Sequence, residues 1–236
     1  MSQAAVNIAL MHDPVMRTFV AFAACCKTAE SVMPVLPPGA FPRYARKVEF
    51  CALPLPGLIE VIPVRHGDAR GHVMETFRAD RFAEAAGPWS FVQDNQAFSA
   101  RAGTIRGLHF QTSPMAQGKL VRCVAGAICD VAVDLRHDSP TFGHWLAREL
   151  SADNGRQLWL PPGFAHGFCT LLPDSVVCYK CTASYSPAHE RGVRWDDAAI
   201  GVVWPALADP DTLSPRDRAL PLLADVPPLF ARGDGV

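Results

Sequence analysis

The segment Gly103-Thr104-Ile105-Arg106-Gly107-Leu108-His109-Phe110-Gln111 carries a guanidinium and an imidazole on what otherwise reads as a buried strand. A second apolar segment, Gln117-Gly118-Lys119-Leu120-Val121-Arg122, adds an ammonium group. A charge buried without a partner is costly, so these groups imply a task. A neutral imidazole accepts protons, and a fixed cation stabilises an oxyanion. Together they suit removal of a proton from a carbon beside a carbonyl. Residues three apart on an ideal strand point to opposite faces. Arg106 and His109 therefore share a cavity only if the chain bulges, and Gly107 is placed to host the bulge.

Tyr179 lies in Val176-Val177-Cys178-Tyr179-Lys180-Cys181-Thr182, where alternation sets it on one face with Val177 and Cys181. A strand histidine is more often a packing residue, and the company of Arg106 and Lys119 favours chemistry at His109. Cys178 and Cys181 have metal-ligand spacing, but no second pair follows and alternation turns them to opposite faces. All eight cysteines are expected to be reduced thiols in a cytoplasmic protein.

The elements that position these groups read as short strands. Leu58–Val64, Val73–Phe77, Phe91–Gln93, Thr104–Arg106, Lys119–Val124, Ala127–Leu135, Trp145–Leu150, Gln157–Leu160, Phe168–Leu172 and Val176–Thr182 are apolar. Turn signals separate them: Gly67–Gly71, Ser113-Pro114, Gly126, Asp138-Ser139-Pro140, Asp153-Asn154-Gly155 and Pro161-Pro162-Gly163. That cadence, with 21 prolines and 17 glycines in 236 residues, predicts an all-β sandwich or jelly-roll barrel. Ala79–Ala86 predicts a short helix stopped by Gly87-Pro88.

Residues 1–45 read as an irregular N-terminal extension ending in the stiff Pro34–Pro42 stretch, with Met11, Met16 and Met33 as other possible starts. The apolar run Phe19–Cys26 is too short and too far inside the chain for a secretion signal. Residues 46–236 form the organised domain, with short helices in a tail from about 205. With 22 basic and 23 acidic residues, no global field points to nucleic acid or membrane, and no apolar run spans a bilayer.

The ordered set of motifs resembles the dTDP-4-dehydrorhamnose 3,5-epimerase family. It runs through Asp68-Ala69-Arg70-Gly71, Phe91–Asn95, Ile105–Gln111, Gln117–Arg122, Asp130–Arg136 and Ser139–Gly143. It continues with Leu158–Phe168, Tyr179-Lys180, Arg194–Asp197, Gly201, Trp204-Pro205 and Leu213–Asp217. The resemblance implies a cupin (jelly-roll) fold with short peripheral helices, a homodimer, and a cofactor-independent, metal-free site for a dTDP-4-keto-6-deoxyhexose. It implies His109 as the base, Asp217 as the carboxylate behind it, Lys119 beside the developing enolate and Tyr179 as the opposed acid. It assigns substrate binding to Arg70, Glu75, Gln93, Asn95, Arg106, His166, Glu190 and Arg216. The implied pathway is dTDP-L-rhamnose biosynthesis, feeding cell-surface polysaccharide. Arg216 stands where the family more often has lysine, Ser184 where it often has an aromatic residue, and His72 likewise.

Three alternatives follow from the same residues. An enzyme of this type could invert C3 or C5 only, depending on how Tyr179 sits. A metal-dependent cupin needs an His-x-His pair followed by glutamate, but the chain reads His109-Phe110-Gln111 with no glutamate before Lys119. A non-catalytic sugar-binding cupin would keep the arginines without needing a base, its aspartate and an opposed acid.

Overall fold

The computed structural model describes residues 47–230. The expected extension over residues 1–45, the Phe19–Cys26 run and the cysteines Cys25 and Cys26 lie outside the described residues. The chain forms β1 (Glu49–Ala52), β2 (Ile59–Ile62), β3 (Arg65–Asp68), β4 (Gly71–Met74) and helix α1 (Ala79–Ala86). There follow β5 (Gln93–Ser99), β6 (Ile105–Gln111), β7 (Lys119–Ala125), β8 (Ala127–Asp134) and β9 (Trp145–Ser151). The series closes with β10 (Gln157–Leu160), β11 (Phe164–Thr170), β12 (Ser175–Cys181) and β13 (Glu190–Gly192). The tail carries 3-10 turns at Pro210–Thr212 and Leu223–Asp225 and one helical turn, α2 (Pro215–Arg218).

Two antiparallel sheets make a jelly-roll sandwich. One has strand order β1-β2-β10-β7-β12-β5 and the other β13-β6-β11-β8-β9. Val121, Cys123, Leu158, Leu160 and Val177 of the first meet Ile128, Ala132, Leu146, Leu150 and Phe168 of the second to form the core. Each sheet is also covered outside. Helix α1 seats Phe82 on Trp159 and Leu120, with Phe77, Trp89 and Phe91 around them. Val193, Ile200 and Phe230 from the C-terminal segment cover Leu108, Val131, Val133 and Ala165. Burial on both faces explains why β8 and β11 read as continuous apolar runs rather than alternations.

Several boundaries differ from the sequence reading: β5 runs Gln93–Ser99 where Phe91–Gln93 was expected, and β6 Ile105–Gln111 where Thr104–Arg106 was expected. The expected strand at Val73–Phe77 ends at Met74, because β4 pairs with β3 as a hairpin whose turn is Ala69-Arg70. The strand expected at Phe168–Leu172 begins four residues earlier, at Phe164, where Pro162-Gly163 had suggested a longer loop. The edge strands β1 and β13 carry too little alternation to be read from sequence.

Candidate active site

The site is built from the inward faces at one end of the sandwich. His109 on β6 pairs with His166 on β11, and Arg106 pairs with Phe168. The register thus gives β6 one residue more than β11 between those pairs, a bulge at Gly107-Leu108. Directly opposed residues share a face. The bulge therefore turns both Arg106 and His109 inward, as Gly107 suggested from sequence. Gly107 has φ +121, and an added Cβ would stand 2.6 Å from Gly167 Cα. Only glycine fits both the conformation and the space.

His109 Nε2 lies 2.7 Å from Asp217 Oδ1. Asp217 sits in α2, whose start is capped when Ser214 Oγ accepts from the Asp217 amide at 3.1 Å. Burial pushes the Asp217 carboxyl up, but the bond and charge of His109 outweigh it and hold the group below the ordinary range. A carboxylate on Nε2 leaves the lone pair of a neutral ring on Nδ1. Lys119, the first residue of β7, faces inward opposite Cys181 and donates from Nζ to the His109 carbonyl at 3.4 Å. Burial lowers its pKa, and Cys181, Glu190 and Asp130 oppose the drop in part.

Tyr179 on β12 also faces inward, opposite Val121 and Asn95, and its ring lies 6.5 Å from that of His166. Burial raises its pKa, which Cys181 and Glu190 reinforce and Arg106 opposes. The Arg106 guanidinium bonds Ser99 Oγ at 3.1 Å and the Phe98 carbonyl at 2.9 Å. Gln93 donates to Asn95 at 3.0 Å and accepts from the Tyr185 amide at 2.7 Å. Asn95 reaches Cys181 Sγ at 3.6 Å. Glu190 on β13 accepts from Tyr185 Oη at 2.5 Å and from Arg216 at 2.6 Å. Burial raises the Glu190 carboxyl, and those two bonds outweigh it, so its pKa is lowered.

Ten of the twelve residues expected in the site thus meet at one end of the sandwich. Arg70 and Glu75 do not. Arg70 stands on the β3–β4 hairpin with its side chain 90% exposed, paired with Asp68. Glu75 pairs with Arg78 and Arg81 beside a cleft lined by Phe77, Phe82 and Leu120. That cleft lies on the outer face of the six-stranded sheet, away from His109.

Two residues that sequence reasoning did not single out join the cluster. Asp130 Oδ1 bonds His166 Nε2 at 2.7 Å, and Tyr185 anchors Glu190. Asp130 was legible by the reasoning that picked out His109, as a charge within the apolar run Ile128–Val133. Cys181 faces inward and Cys178 outward to Gln96, as alternation required, and Cys123, Cys129, Cys169, Cys178 and Cys181 are not in disulfides. Among the described residues no group of three or more His, Cys, Asp or Glu side chains is arranged to hold a metal. No helix among them is long and apolar enough to cross a membrane.

A base backed by a carboxylate, a buried ammonium and an inward phenol can take a proton from one face of a ring and return one to the other. Comparison with known proteins agrees. A family profile described as dTDP-4-dehydrorhamnose 3,5-epimerase matches residues 52–225. The enzyme of that name from Sinorhizobium fredii is 52% identical over 168 residues, covering 71% of this chain and 86% of its own. The crystal structure of the Bacillus anthracis enzyme, with TDP and pyrophosphate bound, superposes with TM-score 0.71 at 47% identity, covering 74% of this chain and 99% of its own. The Legionella pneumophila enzyme, in complex with dTDP-4-keto-L-rhamnose, gives TM-score 0.73 at 41% identity, covering 78% and 98%.

Proposed function

The chain belongs to the dTDP-4-dehydrorhamnose 3,5-epimerase family, and we propose that it inverts C3 and C5 of dTDP-4-dehydro-6-deoxy-D-glucose to give dTDP-4-dehydro-L-rhamnose. The observation that carries the mechanism is the His109–Asp217 pair at 2.7 Å on the inward face of β6. With Nε2 engaged, Nδ1 of His109 removes the proton at C3 or C5 beside the C4 ketone. Asp217 stabilises the imidazolium that forms. Electron density moves onto the C4 oxygen, and the Lys119 ammonium stabilises the enolate. Tyr179, kept in its phenol form by burial, delivers a proton to the opposite face of the same carbon. His109 then gives the proton it took from Nδ1 to solvent, the Tyr179 phenolate takes one back, and the cycle repeats at the second carbon.

Arg106 is the inward arginine suited to a phosphate oxygen, since its planar fork pairs with such groups. Gln93, Asn95, His166, Glu190 and Arg216 hold the sugar nucleotide around the reacting carbons. Arg70 and Glu75 act in a homodimer, each reaching the neighbouring copy's site. The exposure of Arg70 on a projecting hairpin supports this. The protein works in the cytoplasm, in dTDP-L-rhamnose synthesis for cell-surface polysaccharide. Cys123, Cys129, Cys169, Cys178 and Cys181, none of them in a disulfide, suit a reducing compartment. Incubation with dTDP-4-keto-6-deoxyglucose in D₂O, read by NMR, tests the reaction. Deuterium at both C3 and C5 with formation of the L-sugar is expected, and no incorporation at either carbon refutes it.

A further inference from the structure

Two imidazole–carboxylate pairs stand side by side in the site. His109 and His166 are direct cross-strand partners, and each presents Nε2 to an aspartate oxygen at 2.7 Å. The first pair supplies the base. The second has a feature that folding alone does not explain. Asp130 lies on β8, 0% exposed, and its Oδ2 has no hydrogen-bond partner among the described residues. Asp134, equally buried at the end of the same strand, accepts bonds from Arg136, Ser139 and Thr141 on both oxygens. A buried carboxylate oxygen without a donor is destabilising, and apolar replacements at such positions are often neutral or better. The second carboxylate is therefore placed for what it does to the imidazole.

A carboxylate only accepts, so Nε2 of His166 carries the ring hydrogen and the lone pair sits on Nδ1. Nδ1 has no hydrogen-bond partner among the described residues, and the His166 side chain keeps 7% of its surface exposed. The Tyr179 ring centroid is 6.5 Å from that of His166. We propose that Asp130 is a positioning residue: it fixes His166 as the Nε2–H tautomer, so that Nδ1 accepts a hydrogen bond from a hydroxyl of the keto-sugar. The bond holds the ring in place while His109 and Tyr179 act on its two faces. The assignment rests on the epimerase reading above and says how the site grips its sugar.

Asp130→Asn keeps the shape but can donate its amide to Nε2, which drives the ring hydrogen to Nδ1 and turns an acceptor into a donor. The KM for dTDP-4-keto-6-deoxyglucose should rise about tenfold, the loss of one net hydrogen bond, while kcat changes far less. The 2-deoxy and 3-deoxy forms of the sugar nucleotide locate the bond. For whichever lacks the bonded hydroxyl, wild type and variant should bind equally, and a tenfold difference persisting for both overturns the proposal. Nitrogen-15 NMR of histidine-labelled protein reads the tautomer itself, with the hydrogen expected on Nε2 of His166 in the wild type. A wild-type Nδ1–H tautomer overturns the proposal even if the variant folds poorly. Either of those results leaves the epimerase reading standing, whereas absence of turnover by the wild type removes that reading instead.

Discussion

Replacing Asp217 by asparagine isolates what the carboxylate does for His109. The change keeps the side-chain volume, and the Ser214 cap on the Asp217 amide is untouched. With Nε2 and Oδ1 2.7 Å apart, the charge centres of imidazolium and carboxylate lie about 4 Å apart, an attraction of about 4 kcal/mol at an effective dielectric constant of about 20. That corresponds to about 10³ in rate if the full charge forms in the transition state. Proton transfer is only partial there and the His109 side chain is 28% exposed, so a loss of about 10²- to 10³-fold in kcat is expected. The asparagine amide also pushes the ring hydrogen onto Nδ1, which removes the lone pair the base needs and acts in the same direction. The assay is proton exchange at C3 and C5 followed by NMR in D₂O, with thermal melting as the check on folding. A folded variant that keeps exchange within tenfold of wild type at both carbons would refute the reasoning.

Lys119→Ala should cost about a hundredfold in kcat, the usual effect of losing one oxyanion donor, and rates measured at saturating substrate check it. The ammonium must be protonated to act, and burial lowers its pKa below 10.5 while burial raises that of Tyr179 above 10.0. Where loss of the Lys119 proton sets the alkaline fall in kcat, a Tyr179→Phe variant assayed for exchange alone should keep the same limb. Tyr179→Phe should exchange its first proton with solvent but form little inverted product, as chiral analysis of recovered sugar would reveal. The Asp217 carboxyl is held low in the folded state, so its stabilisation is present above the unfolded value of about 3.9 and is lost as pH falls through the folded pKa. Asp217→Asn should thus be less stable than wild type at pH 7, with the gap closing in acid, as melting curves would show. Gly107→Ala should lower the melting temperature by about 6–12 °C, from about 3 kcal/mol of backbone strain and overlap with Gly167.

The fold was legible where turn chemistry and apolar runs coincide. Gln157–Leu160 and Ala79–Ala86 fall where they were expected, because each is bounded by glycine, proline or asparagine on at least one side. The β3–β4 hairpin was harder, since Arg65–Asp68 is polar and takes its strand form from pairing rather than from composition. In the site, residue type and motif order pointed to His109, Lys119, Tyr179 and Asp217. That Asp217 meets His109 across 108 positions of chain is a property of the fold, and spacing could not show it. Arg216 was read toward the substrate, and its guanidinium bonds Glu190 in this structure. Asp130 stands out in the sequence as a charge within an apolar run, but its pairing with His166 on a neighbouring strand is a property of the fold.

His109 as the one base for both carbons is the claim on which the mechanism rests, and His109→Ala tests it most directly. Deuterium uptake from D₂O into dTDP-4-keto-6-deoxyglucose, read separately at C3 and C5, should vanish at both positions in a folded variant. Uptake persisting at either carbon at a rate near that of wild type would contradict the account.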